Sequence, residues 1–335
     1  MIEISHLTKK YGDHVAVADL SINIEKGKIY GFLGPNGAGK STTMNIMTGF
    51  IAATEGTVKV NGYDIFREAE KAKSCIGYLP EIPPLYIDMT VLEYLDFAAE
   101  LKKIPREKRR EEVEEACITA GVSEVAGRLI RNLSKGYRQR VGIAQAILGK
   151  PEIIILDEPT VGLDPAQIIE IRELIAELGK EHTIILSSHI LSEISAVCNY
   201  IFILSKGKLV AADTTEKLLT RMSGGNEIEI VVKGEAGTDV FEDIEGIDSV
   251  EQIPSKEPGT TGIKFICTSG VDVREKIFDR AVERQLKLLK LNAVSRSLEE
   301  VFLELTSGEE DTEEQNDAVE HNNTEEQNNI EGGND

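Results

Sequence analysis

The sequence predicts an α/β fold: a phosphate-loop type core with a helical subdomain, then a small α+β unit and a disordered acidic tail. Three observations carry that prediction. Apolar runs at 28–33, 153–158 and 183–188 read as strands buried on both faces, the pattern of a parallel sheet covered by helices. The first run enters Gly34-Pro35-Asn36-Gly37-Ala38-Gly39-Lys40-Ser41-Thr42, and Thr42 to Met47 reads as the helix that leaves it. From Thr90 to about Gly149 the pattern is mostly helical, an insertion between strands.

The glycine-rich stretch fits G-x-x-x-x-G-K-[ST], and its setting between a strand and a helix is the one this motif requires. Glycines let successive backbone N–H groups curl around phosphate oxygens, and the helix N-terminus adds unpaired donors. Gly34, Asn36, Gly37, Gly39 and Thr42 belong to that cradle. Lys40 is expected to reach the β- and γ-phosphates, and Ser41 to hold Mg²⁺ through its hydroxyl.

The other elements follow in order. Residues 1–30 alternate as short strands, with Ile2, Ile4 and Leu7 as one apolar set and Leu20, Ile22 and Ile24 as another. Tyr11 lies between them; it is either a turn tyrosine or a ring that stacks on a nucleotide base. Residues 55–62 read as a strand ending in an Asn-Gly turn, and residues 74–80 as a strand broken by Pro80. Glu81 and the stiff corner Pro83-Pro84 come next. Val91, Tyr94, Leu95 and Ala98 form one helical stripe, and residues 106–115 read as a solvated helix face. Ile168, Ile171, Leu174, Ile175 and Leu178 line another helix, closed by Gly179. Residues 200–204 and 208–211 pair as a hairpin around Lys206-Gly207.

Past Ser223 the pattern changes. Residues 226–305 read as a small α+β unit with strands at 228–232, 263–267 and 286–291 and helices at 273–284 and 298–305. Residues 308–335 hold 11 carboxylates and no Lys or Arg, so they are expected to be disordered. The chain carries a net charge of −21, of which −10 belongs to residues 1–307. That acidity gives no support to nucleic-acid binding. No run approaches the ~18 consecutive apolar residues of a membrane span. The start is strand-like and not a signal peptide. Cys75, Cys117, Cys198 and Cys267 are scattered and form no metal pattern, and they read as reduced thiols of a cytoplasmic protein.

Two strand ends add chemistry. Asp157 and Glu158 close a buried strand; this is a plain turn or the acidic half of a nucleotide site. In the second case Asp157 serves Mg²⁺ and Glu158 polarises the attacking water. His189 ends another strand, as a structural histidine or as one that contacts the γ-phosphate.

Leu133-Ser134-Lys135-Gly136-Tyr137-Arg138-Gln139-Arg140 resembles the signature motif of ABC transporter ATP-binding subunits. The phosphate loop, Ile154 to Pro159 with Thr160, Gly162-Leu163-Asp164-Pro165 and Ser188-His189 stand in that family's order. The resemblance covers about residues 1–215 and implies an ATP-binding domain over 1–222, with its helical subdomain at about 85–150. Met44 to Gly49, Gly77 to Glu81 and Leu298 to Leu305 resemble the exporter branch that includes gliding-motility-associated and multidrug-type ATPases.

That resemblance implies an ATPase using ATP and Mg²⁺, with Lys40, Glu158 and His189 catalytic, Tyr11 on adenine, and Ser41, Asp157 and Glu81 at the metal. Two chains, expected to be a homodimer, would sandwich two ATPs. Ser134 and Gly136 of one chain would cap the γ-phosphate held by the other, and Asp164 would cross the interface. A separately encoded permease would carry the substrate outward, with the ATPase on the cytoplasmic face. Glu81 departs from the family's usual Gln, and Lys135 and Tyr137 from a usual Gly and Gln. A soluble ATPase acting on ribosomes or DNA is the competing class. The ribosomal type joins two ATPase domains in one chain, and the DNA-repair type needs a coiled coil for which residues 85–150 are too short.

Overall fold

Two sheets of different construction share one apolar core, and the glycine-rich loop lies where they meet. The computed structural model describes residues 1–222, 226–241, 243–255, 257–268 and 271–294. The described chain divides into two compact units at 215/216.

In the first unit, strands β1 (Ile2–Tyr11) and β2 (His14–Ile24) pair as an antiparallel hairpin. Strand β3 (Ile29–Leu33) is buried along its whole length and feeds the loop and helix α1 (Lys40–Met47). The helix begins at Lys40, two residues before the sequence expectation, because Gly39 already serves as its N-cap. Strands β4 (Glu55–Val60) and β5 (Tyr63–Asp64) turn on Asn61 and Gly62, both at positive φ. They complete a sheet of order β2-β1-β4-β5.

Helix α2 (Ala69–Ser74) leads into β6 (Ile76–Leu79), shorter than the expected 74–80 because the helix occupies its first residues. The helical subdomain holds α3 (Val91–Leu101), α4 (Arg106–Thr119) and α5 (Lys135–Ile147). Thr90 and Glu93 form a reciprocal capping box at the start of α3. Helix α4 buries only Val113, Ala116 and Cys117, so most of its charged surface faces water.

The chain returns through β7 (Ile153–Leu156), α6 (Pro165–Leu178), β8 (Thr183–Ser188), α7 (Leu191–Val197), β9 (Tyr200–Ser205) and β10 (Lys208–Thr214). The second sheet has the order β10-β9-β3-β8-β7-β6. Its strands are parallel except β10, which turns back on β9 through Lys206 and Gly207. Ile2, Leu20 and Val58 of the first sheet, Phe32, Ile155 and Phe202 of the second, and Met44 of α1 belong to one buried cluster.

Helix α8 (Thr215–Met222) follows, a helix the sequence pattern did not announce. The second unit pairs β11 (Asn226–Lys233), β12 (Ile247–Ile253), β13 (Thr260–Cys267) and β14 (Lys287–Val294) in the order β12-β13-β11-β14, all antiparallel. Helix α9 (Arg274–Glu283) contributes Ile277 and Ala281 to a core with Ile230, Phe241 and Phe265. Strand β12 was not expected: it is an edge strand with half-exposed side chains and so lacks clean alternation. The expected helix at 298–305 and the acidic tail at 308–335 lie outside the described residues.

Candidate functional site

Strand β3 delivers the chain to the loop, and two glycines then take left-handed backbone angles: Gly37 at φ 84° and Gly39 at φ 96°. A Cβ added at Gly39 would lie 2.6 Å from the Ala16 carbonyl oxygen, so a side chain is excluded there by both angle and space. Helix α1 has no side-chain cap and no acidic residue in its first turn. Its N-terminal amides and the positive end of its dipole are therefore uncompensated, the condition that attracts an anion. The Lys40 ammonium folds back over the loop, donating to the carbonyls of Gly34 at 2.8 Å and Pro35 at 3.2 Å. It is almost fully buried.

Strands β7 and β8 run side by side with Leu156 opposite Leu186. That register places Asp157 and Glu158 beside Ser187, Ser188 and His189. The Ser187 hydroxyl donates to Asp157 Oδ1 at 2.6 Å and accepts from the Glu158 backbone N–H at 2.8 Å. The Ser41 hydroxyl donates to the same Asp157 oxygen at 3.1 Å. Burial pushes the Asp157 carboxyl above its ordinary range; the two hydroxyls oppose this by a smaller amount.

Glu158 is buried and sits at φ 48°, a left-handed angle rare outside glycine. Its two oxygens face different partners. Oε1 is 3.4 Å from Lys40 Nζ, and Oε2 is 3.0 Å from His189 Nδ1. Residues far apart in the chain thus meet as one charged group over the loop.

A cleft of about 410 Å³ opens here. Tyr11, Asn36, Glu81, Glu158 and His189 line it. So do the loop residues Gly37, Gly39, Lys40, Ser41 and Thr42. Tyr11 is half exposed, with Lys9 Nζ 4.9 Å from its ring centroid. Gly34 lies under the loop against Leu204, and Asp157 reaches the cleft through Ser41.

Ser134, Gly136 and Asp164 are not among the residues lining this cleft. Ser134 and Gly136 line a separate patch at the start of α5, and Asp164 stands at the start of α6. Ser134 caps α5 by accepting from the Tyr137 N–H, and Asp164 caps α6 by accepting from the Gln167 N–H at 2.9 Å. The Gln167 side chain packs so close to Gly136 that a Cβ there would lie 2.7 Å from its Oε1.

Sequence reasoning missed the role of Ser187, which ties both acids to β8. It also missed His14 and Ala16 in the cleft wall. A hydroxyl at the buried end of a strand, one residue before a serine and a histidine, was the only available signal for Ser187.

The ABC transporter family model matches residues 17–161. The bacitracin transport ATP-binding protein of Bacillus licheniformis is 35% identical over 310 residues, spanning 92% of this chain and 98% of that protein. The linearmycin resistance ATP-binding protein of Bacillus subtilis is 31% identical over 311 residues, spanning 91% and 98%. Among solved structures, the dimeric structure of a bacterial ABC transporter cassette matches with a TM-score of 0.59 and 27% identity, covering 64% of this chain and 99% of that one. With relatives aligned over nearly their whole length, and with the loop, Glu158 and the strand-end histidine in one cleft, this chain belongs to the ABC transporter ATP-binding family and is one of its ATP-binding, ATP-hydrolysing subunits.

Proposed function

We propose that this subunit hydrolyses Mg²⁺-ATP as a homodimer and thereby drives export through a separately encoded membrane permease. One observation carries the chemistry: Lys40, Glu158 and His189 converge on the loop while Ser41 and Ser187 converge on Asp157.

The residues fit both ATP and Mg²⁺. The uncompensated helix end and the buried ammonium suit phosphate. A hydroxyl beside a carboxylate whose charge is disfavoured by burial suits a small, hard cation. Among the described residues no group of three or more His, Cys, Asp or Glu forms a metal site of its own. A cation shared between a few side chains and substrate phosphates needs no such group.

Tyr11 offers a ring face to adenine, and the loop amides with Asn36 and Thr42 receive the phosphates. Ser41, Asp157 and Glu81 hold the metal side. Mg²⁺, when bound, neutralises charge on the β- and γ-phosphate oxygens. Lys40 exchanges its contacts with loop carbonyls and Glu158 for phosphate oxygens. That exchange frees Glu158 Oε1 to accept the proton of the attacking water. His189 holds the other oxygen and faces the γ-phosphate. Ser134 and Gly136 serve the ATP of the opposing chain, which is why they sit apart from the cleft of their own. Asp164 stands at the same interface.

The permease partner is supported by an apolar cavity of about 740 Å³ lined by Phe50, Ile76, Tyr78, Ile82 and Pro84, which leaves Phe50 and Ile82 largely exposed. Among the described residues no helix is long and apolar enough to cross a membrane; in this reading the route is supplied by the permease, with the ATPase on its cytoplasmic face. Bacitracin transport and linearmycin resistance in the relatives support export as the direction. The test is co-purification from membranes with a multi-span protein, followed by vesicle transport assays. ATP-dependent transport that Lys40→Ala abolishes supports the reading; ATPase activity with no membrane partner and no transport overturns it.

A further inference from the structure

Behind the cleft, a buried carboxylate joins the two segments that carry Glu158 and His189. Glu193 lies in the first turn of α7 and is only 8% exposed. Its Oε2 accepts from the Thr160 hydroxyl at 2.6 Å and from the Ser188 hydroxyl at 3.0 Å. Thr160 follows Glu158 by two residues, and Ser188 immediately precedes His189. The Ser188 oxygen in turn accepts from the Ile190 N–H at 3.0 Å, so the chain is held on both sides of His189. No cation pairs with Glu193 among the described residues, and a buried carboxylate without one is costly unless hydrogen bonds satisfy it.

Two features say what this bridge is for. Glu158 sits at a left-handed angle, which persists only where neighbours over-determine it. Ser187 holds its N–H from one side, and the Thr160–Glu193 bond holds the chain beyond it. Further, the 3.0 Å approach of Glu158 and His189 spans two separate strand ends, and each end is fastened to the same Glu193 oxygen.

The geometry points to Glu193 as a positioning residue for ATP hydrolysis: it sets the register of Glu158 against His189 without touching nucleotide. This rests on the reading of Glu158 and His189 as the catalytic pair. The two accepted hydrogen bonds are what matter, and the negative charge itself has no substrate to meet. A Gln in its place keeps one oxygen able to accept both hydroxyl protons.

The experiment is steady-state ATPase kinetics of the full chain with Glu193→Ala, Glu193→Gln and the pair Thr160→Val/Ser188→Ala, alongside ATP binding and thermal unfolding. A misplacement of about 1 Å is expected to lower kcat by about 10- to 100-fold with KM for ATP little changed. Glu193→Gln is expected to recover most of the turnover that Glu193→Ala loses. Adding Ser188→Ala to Glu193→Ala is expected to cost nothing further.

Wild-type kcat in folded Glu193→Ala overturns the role, and so does an equal loss in Glu193→Gln with ATP binding intact. If Glu193→Ala does not fold, the Thr160/Ser188 pair decides: lower kcat at unchanged KM supports the bridge, and wild-type kcat overturns it. Glu158→Gln separates the two levels. Normal turnover there overturns the catalytic pair itself, whereas an inactive Glu158→Gln beside a fully active Glu193→Ala overturns only the positioning role.

Discussion

Glu158 and His189 lie 3.0 Å apart across 31 residues of chain, and Glu158 turns its other carboxylate oxygen to Lys40 at 3.4 Å. One buried carboxylate therefore faces both the phosphate-loop ammonium and the strand-end imidazole. In the proposed mechanism phosphate takes the ammonium, which leaves the carboxylate with a single partner and one free oxygen.

Glu158→Gln is expected to bind ATP and to stabilise a nucleotide-bound dimer while turnover falls by about 10²-fold or more. The amide keeps the length of the side chain but cannot accept a proton. Phosphate release and nucleotide binding, measured on the same preparation, check this; unchanged turnover would remove Glu158 from the catalytic role.

Burial of Asp157 makes stability depend on pH, and its proposed role at Mg²⁺ predicts a dependence on metal as well. Burial raises its pKa above the ordinary 3.8. A raised carboxylate pKa contributes stability that is fully present below the unfolded value and is lost as pH rises through the folded one. Above the folded value, ionised Asp157 thus destabilises the nucleotide-free protein. Asp157→Asn is expected to melt at or above wild type once pH exceeds the folded value, with the difference shrinking as pH falls toward the ordinary carboxylate range. The same variant is expected to lose most of the Mg²⁺-dependent part of stabilisation by ATP. A thermal shift series over pH, with and without Mg²⁺, reads both effects.

The separation of Ser134 and Gly136 from the cleft predicts sites completed between chains. Lys40→Ala and Ser134→Arg are each expected to be inactive alone. Mixed, they form dimers that retain one undamaged site, and part of the ATPase activity should return. A strictly monomeric, fully active enzyme at saturating ATP would exclude the arrangement.

Glu81 lines the cleft just after β6, and two residues later Pro83 packs where α5 has Gly142. The joint therefore ties the nucleotide side to the helix that Ser134 caps. Glu81→Ala is expected to weaken stimulation by the permease more than ATP affinity. Glu81→Gln is expected to keep most function, since its length and one carbonyl acceptor remain. Reconstitution with the permease, comparing stimulation with affinity across Mg²⁺ concentrations, distinguishes the two.

Elements with strong local pattern are legible in the sequence. The loop, β3, β7 and β8 declare themselves through glycine spacing and unbroken apolar runs. Strand β12 does not, because an edge strand buries too little to impose alternation on its residues. Helix α2 took the start of an expected strand, since Ala69 to Ser74 carries charges that suit either a helix or a loop until Ala72 is buried.

The sequence by itself determined the class of chemistry. A glycine that must adopt φ 96°, a lysine after it and two acids at a strand end are local requirements, and the chain writes them in adjacent letters. Tertiary structure decided which groups act together. Ser41 and Asp157 are 116 residues apart, Thr160 and Glu193 are 33 apart, and no local periodicity links them. Their meeting depends on strand order and register, which non-local packing selects: β8 lies between β3 and β7, and its end stands beside both the loop and the acids. The same packing set Ser134 and Gly136 apart from the cleft, against Gln167 of the helix that Asp164 caps.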